Sequence, residues 1–128
     1  MKNIFTLTLI CLSALIFSNN ASAQTKTHTW NKSETGIWKV KVDTKVISYK
    51  IDVDWVVWSS TDEKKWVEVP KNMWTDFEGN VYRAMNQMIF WSTDGGSTWD
   101  NAPGQTWHGG DGMWYKFDNH LVLFVSQQ

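Results

Sequence analysis

Residues 66–98 read WVEVPKNMWTDFEGNVYRAMNQMIFWSTDGGST, and residues 99–126 pass the same landmarks again as WDNAPGQTWHGGDGMWYKFDNHLVLFVS. Trp66 and Trp99, Pro70 and Pro103, Trp74 and Trp107, and Trp91 and Phe124 are each 33 residues apart. All three tyrosines keep that step, at Tyr49, Tyr82 and Tyr115, with a basic residue after each: Lys50, Arg83 and Lys116. The front of the chain supplies a first unit in Trp30, Trp38, Tyr49-Lys50 and Trp58. Its Trp38–Tyr49 step is 11 residues against eight in the other units, an insertion expected at the turn Asp43-Thr44-Lys45. A fixed period of this size means an architecture of repeated units, none able to bury its own apolar face alone.

The units read as strands. Alternation with period two runs through Trp38–Val42, Val46–Trp58, Trp66–Val69, Met88–Trp91 and Leu121–Val125. Turn signals separate them at 61–64, 78–80, 94–96, 109–112 and 118–119. No window shows helical spacing of apolar residues. The expectation is an all-β domain of three pseudo-symmetric antiparallel units, β-prism-like, with half of a β-propeller completed by a homodimer as the alternative. By the period, Phe124 leads to a tryptophan beyond residue 128, and Trp30 has the missing character. The N-terminal strand is therefore expected to pair with the last unit, which protects two sheet edges.

Residues 1–23 have the form of a secretory signal peptide: Lys2, an apolar run from Ile4 to Phe17, and Ala21-Ser22-Ala23 before Gln24. The reading is a secreted or periplasmic protein whose single domain spans residues 24–128. The only cysteine, Cys11, lies in the leader, so a thiol enzyme and a disulfide scaffold are excluded for the mature chain. Without Lys2 there are 11 basic against 13 acidic side chains, a net charge of about −2. No basic block suits a nucleic-acid backbone, and no basic amphipathic helix suits a membrane surface. All ten tryptophans lie in the mature chain. A small domain without disulfides needs large buried side chains, so most of them are expected in the core. Trp30, Trp66 and Trp99 are expected as one anchor per unit.

Ser92-Thr93-Asp94-Gly95-Gly96-Ser97-Thr98-Trp99 resembles the Asp-box hairpin, S-x-D-x-G-x-T-W. That resemblance implies a structural role for Ser92, Asp94, Gly96, Thr98 and Trp99. Ser60 to Trp66 is similar but one residue shorter. Lys50-x-Asp52-x-Asp54-x-Val56-x-Trp58 and Lys116-x-Asp118-x-His120-x-Val122-x-Phe124 have the slot spacing of the bulb-type lectins, Q-x-D-x-N-x-V-x-Y. The chain also resembles tectonin-like propeller lectins at 99–104 and 110–114. These resemblances imply a carbohydrate-binding protein with repeated shallow sites. The replacement of Gln by Lys or Arg leaves mannose specificity unimplied. The expected sugar-binding residues are Lys50, Asp52, Asp54, Trp58, Lys116, Asp118 and His120. Unit two, with Met85 in the acidic slot, is expected to bind most weakly.

Enzymatic readings have less to draw on. His28, His108 and His120 lack companions at metal-ligand spacing. An acid/base pair of Glu78 with His108 or His120 would also need a phosphate site, for which Arg83 and scattered lysines are the material. Asp94, Asp100, Asn101 and Asp111 follow no known calcium loop. No catalytic residue, metal or cofactor is expected, and the expected partners are glycans or glycoconjugates. The alternatives are a non-catalytic envelope scaffold or protein-binding module and, after it, a small secreted hydrolase or ribonuclease.

Overall fold

Each tyrosine of the repeat faces a tryptophan across an antiparallel strand pair: Trp38 opposite Tyr49, Trp74 opposite Tyr82, and Trp107 opposite Tyr115. The computed structural model describes residues 28–127; the expected leader at 1–23 lies outside them. The first sheet contains β2 (Trp38–Val42), β3 (Lys45–Ile51), β4 (Val57–Ser60) and β5 (Val67–Glu68). The second contains β6 (Met73–Thr75), β7 (Val81–Met85), β8 (Met88–Ser92) and β9 (Asp100–Asn101). The third contains β10 (Thr106–Gly110), β11 (Met113–Phe117) and β12 (Leu123–Gln127), and takes β1 (Asn31–Lys32) from the front of the chain as its fourth strand. Asn31 pairs with Val125 and Lys32 with Phe124. The fold is thus all-β, three four-stranded antiparallel sheets in a prism-like arrangement that closes within one chain.

The core explains the period. Trp38, Trp74 and Trp107 are buried and meet on the axis, with ring centroids 5.1, 5.2 and 5.3 Å apart and planes crossing at 61–69°. Each ring also stacks on its own sheet's tyrosine, at 5.7, 6.0 and 6.2 Å. Edge-to-face aromatic pairs contribute about 0.5–1.5 kcal/mol each beyond the area they bury. None of the three indole N–H groups has a hydrogen-bond acceptor. The crossing angles bring ring edges onto ring faces, the arrangement that aromatic quadrupoles favour.

Four expectations need correction. Trp30, Trp66 and Trp99 are not core anchors: each is only half-buried, and the core positions belong to the residues eight places on. The core is tryptophan-rich but does not take more than half of the ten: three rings are buried, and Trp55 and Trp91 pack half-buried against them. The continuous alternation from Val46 to Trp58 is broken by a five-residue turn at 52–56, because Asp52 collects the amides of Asp54 and Val56 on one oxygen. Gly109 and Gly110 are strand residues rather than turn residues. A Cβ on Gly109 would overlap the Lys39 carbonyl oxygen, so the glycine is what lets the first and third sheets approach.

The 33-residue step also hides a compensated shift. Lys50 pairs with Trp58 and Lys116 with Phe124, but Arg83 pairs with Phe90. The hairpin of unit two turns at Asn86-Gln87, and six residues separate its basic residue from the strand partner, against seven in the other two units. The turn from Ser92 to Trp99 is one residue longer than that from Ser60 to Trp66, which restores the period. Trp91 therefore sits one place past its sequence counterparts and pairs with Tyr82, where the other sheets have Ser59 and Val125.

The two prolines start equivalent 3-10 turns, Pro70–Asn72 and Pro103–Gln105. The turns end on side-chain amides that clip the preceding hairpin. Asn72 accepts the Val57 N–H and donates to the Trp55 carbonyl; Gln105 accepts the Ile89 N–H and donates to its carbonyl.

Candidate functional site

Period-two geometry decides what faces solvent. Because Tyr49, Tyr82 and Tyr115 point inward, the basic residue after each points out. Lys50 Nζ lies 4.3 Å from the centre of the Trp66 ring. The Arg83 guanidinium lies 4.5 Å from Trp99, and Lys116 Nζ 4.6 Å from Trp30. Trp30 thus fills the place that the period assigns beyond the chain, and the outer face of every sheet carries a cation over an indole.

Strand register extends each pair into a row. On the first sheet Lys50 pairs with Trp58, and Trp58 with Glu68. On the second Arg83 pairs with Phe90, and Phe90 with Asn101. On the third Lys116 pairs with Phe124, and Phe124 with Lys32. All three rows have half-buried aromatic rings in the middle and an exposed polar residue at the rim. The rim residue differs in charge from sheet to sheet: acidic, neutral and basic. The third row borders a hollow of about 380 Å³ walled by Trp30, Lys116, Phe124 and Asp118.

The residues expected from sequence to bind sugar fall into two groups. Lys50, Trp58 and Lys116 stand in these rows. Asp52 joins the first: one carboxylate oxygen accepts the Trp58 indole N–H at 3.0 Å, and the other takes the turn amides. Those bonds, the indole first, hold the Asp52 carboxyl below the ordinary range. Asp118 accepts the amides of Val122 and His120, and those bonds, the Val122 amide first, hold its carboxyl below the ordinary range. Asp54 and His120 are exposed on the turns. His120 and Asp52 border one hollow between the first and third hairpins. Met85 replaces Asp52 and Asp118 in unit two because a hairpin turning at Asn86-Gln87 needs no carboxylate to collect amides. Trp66, Trp99, Trp30, Phe90, Glu68, Asn101 and Lys32 were not legible as row members. The usable signal was the parity of each basic residue against its inward tyrosine.

The turn after β8 is held by its own side chains. Asp94 accepts the Ser92 and Thr98 hydroxyls, each at 2.6 Å, and the amides of Ser97 and Thr98. Gly96 donates its N–H to Ser92 Oγ and has a φ of 101°. The turn after β4 repeats this with Ser60 and Asp62. In the Asp94 turn both carboxylate oxygens are engaged within the turn, whereas the Asp62 bonds all fall on one oxygen.

Glu78 and His108 do come together, on the walls of a cleft between the second and third sheets. No lysine or arginine among the described residues borders that cleft. Among the described residues no group of three or more His, Cys, Asp or Glu side chains could hold a metal. Asp111 instead pairs with Lys41 across the sheets at 3.5 Å.

Comparison with protein families, curated proteins and solved structures finds no match to the chain.

Proposed function

We propose that the protein binds carbohydrate on the outer faces of its three sheets. The observation that carries this reading is the recurrence of one arrangement on all three: a half-exposed indole under a fixed cation, a second aromatic ring beside it, and a polar rim. Sugars present apolar C–H faces that stack on such rings and hydroxyls that pair with ammonium, guanidinium, carboxylate and amide groups. The fold by itself needs only the inner face; half-exposed indoles contribute less to stability than buried ones. Shallow sites repeated on one body gain avidity for multivalent glycans. With its leader, the protein is proposed to act outside the cytoplasm. Asp52 and Asp118 serve by fixing the turns beside the rows, and Asp52 also by orienting the Trp58 ring.

The test is a glycan array probed with protein lacking residues 1–23, followed by titration of the best glycan against Trp66→Ala, Trp99→Ala and Trp30→Ala. Loss of binding in at least one variant that melts within a few degrees of wild type supports the reading. A blank array, or binding unchanged in all three, returns the protein to the envelope-scaffold reading.

A further inference from the structure

A cleft lies between the second and third sheets. Three of its walls, Trp91, His108 and Trp114, are positions where the units differ. Trp91 stands where the other sheets have Ser59 and Val125. Trp114, paired with His108, stands where they have Ser48 and Val81, and His108 where they have Lys39 and Thr75. A repeat that folds with serine or valine at these places does not require an indole at two of them. The His108 and Trp114 rings stack at 4.6 Å and 14°, and the Phe77 N–H ties the two sheets together at the His108 carbonyl.

The chemistry of the cleft is aromatic and anionic. At its base Asp76 is buried, 3% exposed, and accepts the Glu78 and Asn80 amides, the Asn80 side chain and the Tyr82 hydroxyl. Burial first, then the neighbouring Asp76 carboxylate, pushes the Tyr82 phenol far above its ordinary range, so it stays a neutral donor. Glu78 borders the cleft, is exposed, and makes no ion pair among the described residues. His108 Nε2 is buried without a hydrogen-bond partner. Among the described residues, two carboxylates, two indoles and no lysine or arginine surround a space of about 230 Å³. That is below the size of most drug-sized pockets, so the ligand is small. Indole faces attract cations through their quadrupole, most strongly where water is excluded.

We propose that this cleft binds a small organic ammonium ion, its charge between Trp91 and Glu78 and its apolar body against the His108–Trp114 stack. The site is separate from the outer rows and does not depend on the carbohydrate reading.

The experiment is calorimetric titration with benzyltrimethylammonium, beside benzyl alcohol as its neutral counterpart, on wild type, Trp91→Val, Glu78→Gln and Trp99→Ala. Trp91→Val installs the residue the third sheet already uses, so the fold has a precedent for it. The expected result is saturable binding at one site, at least tenfold weaker in Trp91→Val, several-fold weaker in Glu78→Gln and unchanged in Trp99→Ala. Benzyl alcohol is expected to bind at least tenfold more weakly than the cation. Absence of saturable binding at millimolar ligand would overturn the proposal, as would equal affinity for benzyl alcohol. Should Trp91→Val fail to fold, Glu78→Gln decides: unchanged affinity there also overturns it.

Discussion

Asp94 shows how much one side chain fixes here and where its influence stops. Its carboxylate takes two hydroxyls and two amides, and those bonds, the Ser92 hydroxyl first, drive its pKa far below the ordinary carboxylate value of about 4. A depressed folded-state pKa adds stability that is complete above about pH 5 and is lost as pH falls through the folded value. Asp94→Ala is therefore expected to melt below wild type at pH 7, with the gap closing below about pH 3; melting curves across that range check it. A gap that widened towards low pH would mean that the carboxylate is not held ionised by its turn. At this scale the sequence was most readable where a side chain bonds to its own turn. It was least readable for the tryptophans. Spacing makes Trp66 and Trp74 equally good anchors, and only the inward direction of Tyr82 assigns the core to Trp74.

Hairpin length is the property of an element that sequence period conceals. Unit two loses a residue at Asn86-Gln87 and regains it before Trp99, so a constant 33 hides the move of Trp91 to the inner face. The turn has φ values of 53° at Asn86 and 62° at Gln87, the left-handed region that glycine occupies without strain. Gln87→Gly is expected to stabilise the protein by about 1 kcal/mol, read by urea denaturation. No gain, or a loss, would show that the Gln87 side chain contributes more than its backbone costs. Closure by the N-terminal strand was legible because an edge strand lacking its partner is a liability. The close approach of β10 to the first sheet was not, since Gly109-Gly110 looks like a turn signal until Lys39 is seen beside it. Gly109→Ala is expected to cost about 1–3 kcal/mol or more, because the atom it meets is backbone and cannot swing away. Denaturant melts within 0.5 kcal/mol of wild type would mean that the two sheets have room to part.

Across the whole molecule the repeat separates two jobs by the parity of neighbouring residues. Inward, the Trp38–Trp74–Trp107 triangle and its tyrosines hold three sheets around one axis. Outward, the basic residue after each tyrosine lies over an indole at the sheet surface. The fold class followed from the period because three units sharing one buried face have few ways to pack. The outer rows followed less readily, since they are assembled from three strands and, in the third sheet, from both ends of the described chain. Truncating a core indole is expected to cost about 3–5 kcal/mol, much of the stability of a domain this size.

Hydrogen exchange of the indole N–H groups, followed by NMR with each signal assigned through a Trp→Phe variant, tests this partition most directly. The Trp38, Trp74 and Trp107 indoles are expected to exchange only through global unfolding, orders of magnitude more slowly than those of Trp30, Trp66 and Trp99. If the Trp74 indole exchanged as fast as Trp66, or the Trp99 indole were protected like Trp107, the inner triangle and the outer rows would not be the two faces of one repeat.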